Sequence, residues 1–556
     1  MFRYMSTVDG IADRHVSEFA ELDPIAASAV GLSGYDDRMT DLSPAGFEAQ
    51  AELFKRTLSE LRGAEVGSDR ERVAKDAMLE RLTIASERHD SGAVTSDVNV
   101  IASWVQEVRQ VFDLMPTTGA EAQANLAIRM RGVREAYAGL ARTYAEEAAR
   151  GRVSARRQVL GCVKQCEEWS APGTGFYYKL ARRIDADDAM RAELEEAAAT
   201  ASAATAELGT FLERELLPLA PDRDAVGRER FTLDSRWFLG ATIDPEEAYA
   251  WGWQEVLRIE AEMRQIADKI VAGASIAEAV VALDADPARR ITGRAALRDW
   301  MQGVADQTIA ELNGTHFDIP EPARTIEAMI APTEDGGIYY TGPSEDWSRP
   351  GRMWWAVPDE VGEFSTWKEL TTIYHEGVPG HHLQCAQAVY LRDELNRWQR
   401  MMCWVSGHGE GWALYAERLM DELGYLSDPG NKLGMLDAQL LRAARVVIDL
   451  GVHLEFAVPP DSPWRPGETW NADLAWEFLR SRVQTDDAML RFELDRYMGW
   501  PGQASAYKIG ERIWLAAREE ARQRKGADFD LKQFHSQALA LGSIGLDPLR
   551  ETLARL

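Results

Sequence analysis

The sequence predicts a mostly α-helical protein of two subdomains, with a small β-hairpin or short sheet beside one functional helix. Three observations carry this. Stretches rich in Ala, Glu, Leu and Arg keep helical apolar spacing from the start to about residue 215. The segment PLAPDRD, residues 218–224, breaks that pattern with two prolines and several charges before helices resume near Asp244. Residues 336–358 then replace helix formers with aromatic and β-forming side chains between turn residues.

Residues 1–217 form the first expected subdomain, with long helices over 120–150 and 187–216. It holds no cluster of His, Cys and carboxylates, and so reads as one wall of a site. The second subdomain spans 218–556. Two short strands are expected in GGIYYTGP (336–343) and RMWWAVP (352–358). Tyr339 and Tyr340 on the first of them are candidate substrate contacts, because an exposed edge strand can hold an extended peptide by main-chain hydrogen bonds. An aromatic hairpin packed under the neighbouring helix is the alternative.

Composition narrows the function classes. With 46% hydrophobic and 27% charged residues the chain is an ordinary globular protein rather than a disordered one. The net charge of −28, from 62 basic and 90 acidic side chains, argues against nucleic acid and anionic membranes as partners. Cys162, Cys166, Cys385 and Cys403 are too few and scattered for a disulfide framework. Cys162 and Cys166 read as buried thiols, and Cys385 as a neighbour of the site. The opening MFRYMSTVDGIADRHVSEF lacks an apolar leader core, and no run reaches the ~18 apolar residues of a membrane helix. A cytoplasmic location is therefore expected.

The chemistry centres on a helix expected over 366–390, which carries TTIYHEGVPGHHLQ at 371–384. Thr366 and Glu369 suggest a capping box, and Trp367, Leu370, Ile373 and Tyr374 an apolar stripe that buries the helix. His375 and Glu376 begin like the zinc motif H-E-x-x-H, in which two imidazoles one turn apart share a metal and the glutamate handles protons. Here position 379 is proline, and the next histidines are His381 and His382. On an unbroken helix His381 would point about 240° away from His375, and His382 would lie roughly 10 Å along the axis. Pro379 lacks the N–H that would bond the His375 carbonyl, and Gly380 is conformationally free. A widened turn or π-like bulge is the expected way to return His381 to the metal. His382 is the alternative, needing the larger insertion.

A third ligand is expected from SGHGEGWALYAERLM, residues 406–420, where Glu410 and Glu417 share a helix face. Glu410 is the predicted ligand, and Glu417 is placed to orient a ligand histidine. His408 is a weaker candidate. Arg445, Asp449 and His453 share another face and receive no catalytic role. Tyr507, at a predicted helix start, is the candidate donor to an oxyanion.

Taken together, HEGVPGHHLQ, EGWALYAE, RVVIDLGVH, PGQASAYKIG and FHSQALALGSIGLDPLR resemble the bacterial domain of unknown function 885 over nearly the whole chain. That family is similar to helical zinc peptidases such as neurolysin, angiotensin-converting enzyme and thermostable carboxypeptidases. The resemblance implies two helical halves enclosing a deep cleft, and a gluzincin site. In it His375, His381 and Glu410 hold one zinc, Glu376 is the general base and Tyr507 the oxyanion donor. The expected function is hydrolysis of short peptides by a zinc-activated water, as an oligopeptidase, dipeptidase or carboxypeptidase. A zinc hydrolase of a non-peptide amide or ester, or a helical binding protein without metal, are the alternatives.

Overall fold

Helices start where the sequence caps them. Asp187, Asp244 and Asp428 each accept a hydrogen bond from the backbone N–H three residues on, and proline occupies the first turn after Asp244 and Asp428. In the computed structural model, which describes residues 7–331, 337–357 and 361–555, the protein is 69% helical with a few short strands in two small sheets. The first six residues of the segment read for a leader, and Gly336 and Pro358 of the predicted strands, lie outside the described residues.

Two apolar cores organise the chain. The smaller is built mainly from residues 98–220, including α1 (Ala120–Ala149) and α2 (Asp188–Phe211), with Ile25, Leu42 and Phe47 joining it. The larger takes side chains from residues 8–82 and again from Phe231 onward. The expected 1–217 unit therefore does not follow the cores, because its early helices pack with the second part. A π turn and a 3₁₀ turn over 212–219 end the smaller core, and helices resume at Arg228, ahead of Asp244. Arg157 joins the two parts by donating to Asp224 and Asp495.

Buried ionisable groups mark the smaller core. Burial and the nearby Asp23 push the carboxyl of Glu107, on the helix Trp104–Leu114, up to about 7. Because its folded pKa lies above the ordinary carboxylate value, its contribution is intact at pH 4 and lost as pH rises toward 7. Glu107→Gln is thus expected to gain about 2–3 kcal/mol over wild type between pH 4 and pH 8. Urea melts at the two pH values check this; equal gains at both would refute it.

Within the larger core α3 (Pro245–Ile270) packs along a later helix whose side chains are buried from Ala443 to His453. A three-stranded sheet precedes the functional helices: β1 (Ile326–Ile330), β2 (Ile338–Thr341) and β3 (Gly351–Trp355). β3 is central, parallel to β1 and antiparallel to β2, with Met353 opposite both Ala328 and Tyr340. The expected pair is present, and β1 adds a strand that sequence reading missed. Arg290–Thr292 and Glu363–Ser365 form a second small ladder.

The site-bearing helices follow: α4 (Thr366–Glu376), α5 (His381–Tyr390), α6 (Ser406–Glu422), α7 (Pro429–Leu454), α8 (Asp487–Gly499) and α9 (Gln503–Lys525). Glycines let them approach closely. A Cβ at Gly434 of α7 would overlap the Trp367 carbonyl of α4, and one at Gly411 of α6 would meet the Gly510 backbone of α9 at 2.5–2.6 Å.

Candidate metal centre

α4 is held by tertiary contacts rather than by its expected cap. Thr366 Oγ1 donates to the Arg289 carbonyl, and Glu369 accepts from Trp355 Nε1 at 2.8 Å, so neither closes a capping box. The apolar stripe behaves as expected, burying Trp367, Leu370, Ile373 and Tyr374.

The structure corrects the expected bulge. α4 stops at Glu376, residues 377–380 form a separate loop containing a cis Val378–Pro379 bond, and α5 starts afresh at His381. Gly377 and Gly380 both take ψ near −130°, far from the helical value that a bulge retains. The loop is tied down by Gly380 N donating to the Tyr374 carbonyl at 3.0 Å and by Trp412 Nε1 of α6 donating to the Pro379 carbonyl at 2.9 Å. Two helices thus meet end to start, with His375 and Glu376 on the last turn of one and His381 on the first residue of the other.

This junction brings the predicted ligands together. The His375 and His381 rings lie 4.9 Å apart with planes at 89°. Glu410 Oε2 of α6 is 3.3 Å from His375 Nε2 and 3.5 Å from His381 Nε2. Edges of a tetrahedron around an ion with ~2.05 Å bonds are about 3.3 Å long, so the spacing of these atoms fits a zinc-sized cation. His375 Nδ1 donates to Glu417 Oε1 at 2.8 Å, and the second Glu417 oxygen accepts from Thr371 Oγ1 at 2.8 Å. That bond fixes the tautomer and turns Nε2 toward Glu410. Ligand atoms of His375, Glu376 and His381 also lie within 4.8 Å of one another. Glu376 is buried and its Oε2 has no hydrogen-bond partner.

Acidic side chains crowd the two imidazoles: Glu376 and Glu417 are buried, and Glu410 is partly buried with 18% of its side chain exposed. Burial opposes protonation of His375, but Glu410, Glu417 and Glu376 outweigh it and hold its pKa up at about 9. Burial likewise opposes ionisation of Glu410, yet His375 and His381 hold its carboxyl well below the usual range. For Glu376 burial wins and raises the pKa against the pull of His381 and His375. The donor set, two imidazoles and a carboxylate, suits zinc.

His382 has both ring nitrogens engaged away from the cluster. Its Nε2 donates to the Ala323 carbonyl at 2.9 Å, and its Nδ1 accepts from the Tyr340 hydroxyl at 2.9 Å. Tyr340 therefore couples β2 to α5, while Tyr339, 37% exposed, stacks on Trp354. His408 is fully buried in the first turn of α6 and bonds the Ile544 carbonyl. Cys385 is a half-buried free thiol, pushed up to about 12 by burial and then by Glu376 and Glu410, and the other three cysteines are buried and free. Tyr507 lies on α9 as expected, with Arg445 over its ring at 4.5 Å and Arg496 donating to its hydroxyl at 3.4 Å. Asp449 accepts from the Gly502 and Ser505 N–H groups at the start of α9, and His453 bonds the Tyr497 carbonyl, so these two residues tie helices together.

Sequence reading missed two residues. Gln384, one turn beyond His381, is 5% exposed with neither amide atom bonded; its i+3 spacing from a ligand was the available signal. Arg442, one turn before Arg445, places its charge near Glu376 and Glu417, and nothing local in LLRAARVV marks it.

The profile of a bacterial protein family of unknown function, DUF885, matches residues 24–553. No curated protein matches the chain. Two solved structures share the fold: "the putative lipoprotein from Colwellia psychrerythraea", 22% identical with a TM-score of 0.84 over 99% of each chain, and "a putative lipoprotein of unknown function from Shewanella oneidensis". The second is 18% identical with a TM-score of 0.75, covering 97% of this chain and 98% of that one.

Proposed function

The chain belongs to the bacterial DUF885 family, whose description assigns no activity, so function must be read from the site, and we propose a zinc-dependent hydrolase of short peptides. The observation that carries this reading is the convergence of Glu410 Oε2 on the Nε2 atoms of both His375 and His381. Those three residues would hold the ion, which supplies a Lewis acid for a carbonyl and an acidified water. The arrangement is then of the gluzincin type.

The chain's own residues divide the remaining work. Glu376, with an unbonded buried oxygen, takes a proton from the attacking water and passes it to the leaving amine. Glu417 holds the His375 ring in place through Nδ1. Tyr507 donates to the oxyanion. β2, paired on one side by β3, lies beside α5 through the Tyr340–His382 bond and offers an edge to an extended substrate, with Tyr339 on its exposed face. Four unpaired cysteines fit a reducing compartment, which is the location we propose.

Elemental analysis tests the metal. Wild type is expected to carry one zinc per chain, lost in His375→Ala, His381→Ala and Glu410→Ala but kept in His382→Asn. A chelator should lower the melting temperature of wild type and leave His381→Ala unchanged. A wild type without metal after zinc is supplied would sink the reading. A panel of peptides, esters and non-peptide amides separates peptide hydrolysis from its nearest alternative.

A further inference from the structure

Two arginines, Arg445 of α7 and Arg496 of α8, share the single carboxylate of Glu493. Arg445, 5% exposed, donates from Nη2 to Glu493 Oε2 at 2.7 Å and from Nε to the Tyr497 hydroxyl at 2.8 Å. Arg496 donates to the other oxygen of the same carboxylate at 3.0 Å. Two inward guanidinium groups thus share one anion, and burying an unbalanced charge is strongly unfavourable. Arg445 Nη1 is buried without a partner. One turn earlier, Arg442 has a buried, unpartnered Nε and donates from Nη1 to the Ala438 carbonyl in its own helix. The Tyr507 hydroxyl accepts from Arg496, which leaves its proton free to donate.

These groups sit close to the metal centre. α4 and α7 run side by side in one direction: Gly434 touches Trp367 near their starts, and the charge of Arg442 acts on Glu376 and Glu417 farther along. Glu376 lies nine residues past Trp367 and Arg442 eight past Gly434. At about 1.5 Å per residue the two are level, with Arg445 roughly 4.5 Å beyond. Each peptide residue spans at most about 3.3–3.6 Å, so the arginine turn lies within one or two residues of a bond held at the centre.

We infer that Arg442 and Arg445 form an anion site for the α-carboxylate of the substrate, so that the enzyme removes one or two residues from free C-termini. Planar guanidinium groups with open N–H positions match a carboxylate, and the bound anion balances the second arginine. The inference rests on the hydrolase reading, and the test separates the two. Zinc-loaded protein is given an N-acylated tripeptide as the free acid and as its C-terminal amide, and calorimetry compares N-acetyl-L-leucine with N-acetyl-L-leucinamide. The free acid should be cleaved about a hundredfold more efficiently than the amide, and Arg442→Gln should shrink that preference to a few-fold while zinc content stays at one per chain.

Equal cleavage of acid and amide would overturn the carboxylate site and leave the hydrolase standing. No cleavage of either, with N-acetyl-L-leucine still binding in an Arg442-dependent way, would keep the anion site and overturn the hydrolase. Binding of neither N-acetyl compound, together with equal or absent cleavage, overturns the inference. The acid-to-amide comparison in wild type needs no substitution in the buried Arg445–Glu493 network, which holds α7 against α8.

Discussion

Glu376→Gln is expected to reduce kcat on a short peptide by about 1,000- to 10,000-fold while zinc content and melting temperature stay near wild type. Glutamine fills the same buried space but cannot accept a proton. The Glu376 carboxyl is the one acidic group of the centre with an unbonded buried oxygen, since Glu410 faces both ligand imidazoles and Glu417 is engaged with His375 and Thr371. Steady-state kinetics beside metal analysis reads the two effects separately. Activity retained within about tenfold would remove Glu376 from proton transfer.

Gly380→Ala is expected to destroy the centre from outside its ligand shell. A methyl group there would overlap the His375 carbonyl oxygen and come within 2.5 Å of the Tyr374 carbonyl oxygen. Neither side yields easily, because the loop is fixed by the Gly380–Tyr374 and Trp412–Pro379 hydrogen bonds. Relief requires α5 to move away from α4, which opens the His381–Glu410 spacing of 3.5 Å. Loss of stoichiometric zinc and about 2–4 kcal/mol of stability should follow, read by elemental analysis and urea denaturation. Gly303→Ala, where a Cβ meets nothing within 4 Å, is the control and should leave both unchanged. A Gly380→Ala protein that keeps its metal would show that α5 can shift without loss of the ligand set.

The sequence carried the members of the side-chain cluster better than the path between them. His375, Glu376, His381 and Glu410 were legible because metal chemistry restricts residue type, and Glu417 because a seven-residue interval repeats one helix face. A count of residues between two histidines states how much chain must be absorbed, not how, so a bulge and a broken helix looked alike. The choice of His381 over His382 depended on partners far away in sequence, Ala323 and Tyr340, that occupy both nitrogens of the second ring. The capping box failed for the same reason: Glu369 met the Trp355 indole, which local spacing cannot register. β1 was overlooked because Ile326–Ile330, buried at its first and third residues, gives too short an alternation to stand out. The helical content was readable throughout, whereas the sharing of early helices with the later core arises from long-range packing.

The glycine contact between α6 and α9 sets an order of events during synthesis. Glu410 and the histidines leave the ribosome about a hundred residues before Gly510, the backbone against which Gly411 rests. At ~5–20 residues per second, some 5–20 s pass in which the carboxylate's helix has no flank to lean on. If the proposed centre holds an ion, its histidines and carboxylate would stay loosely arranged until the late helix docks, so that assembly would precede loading.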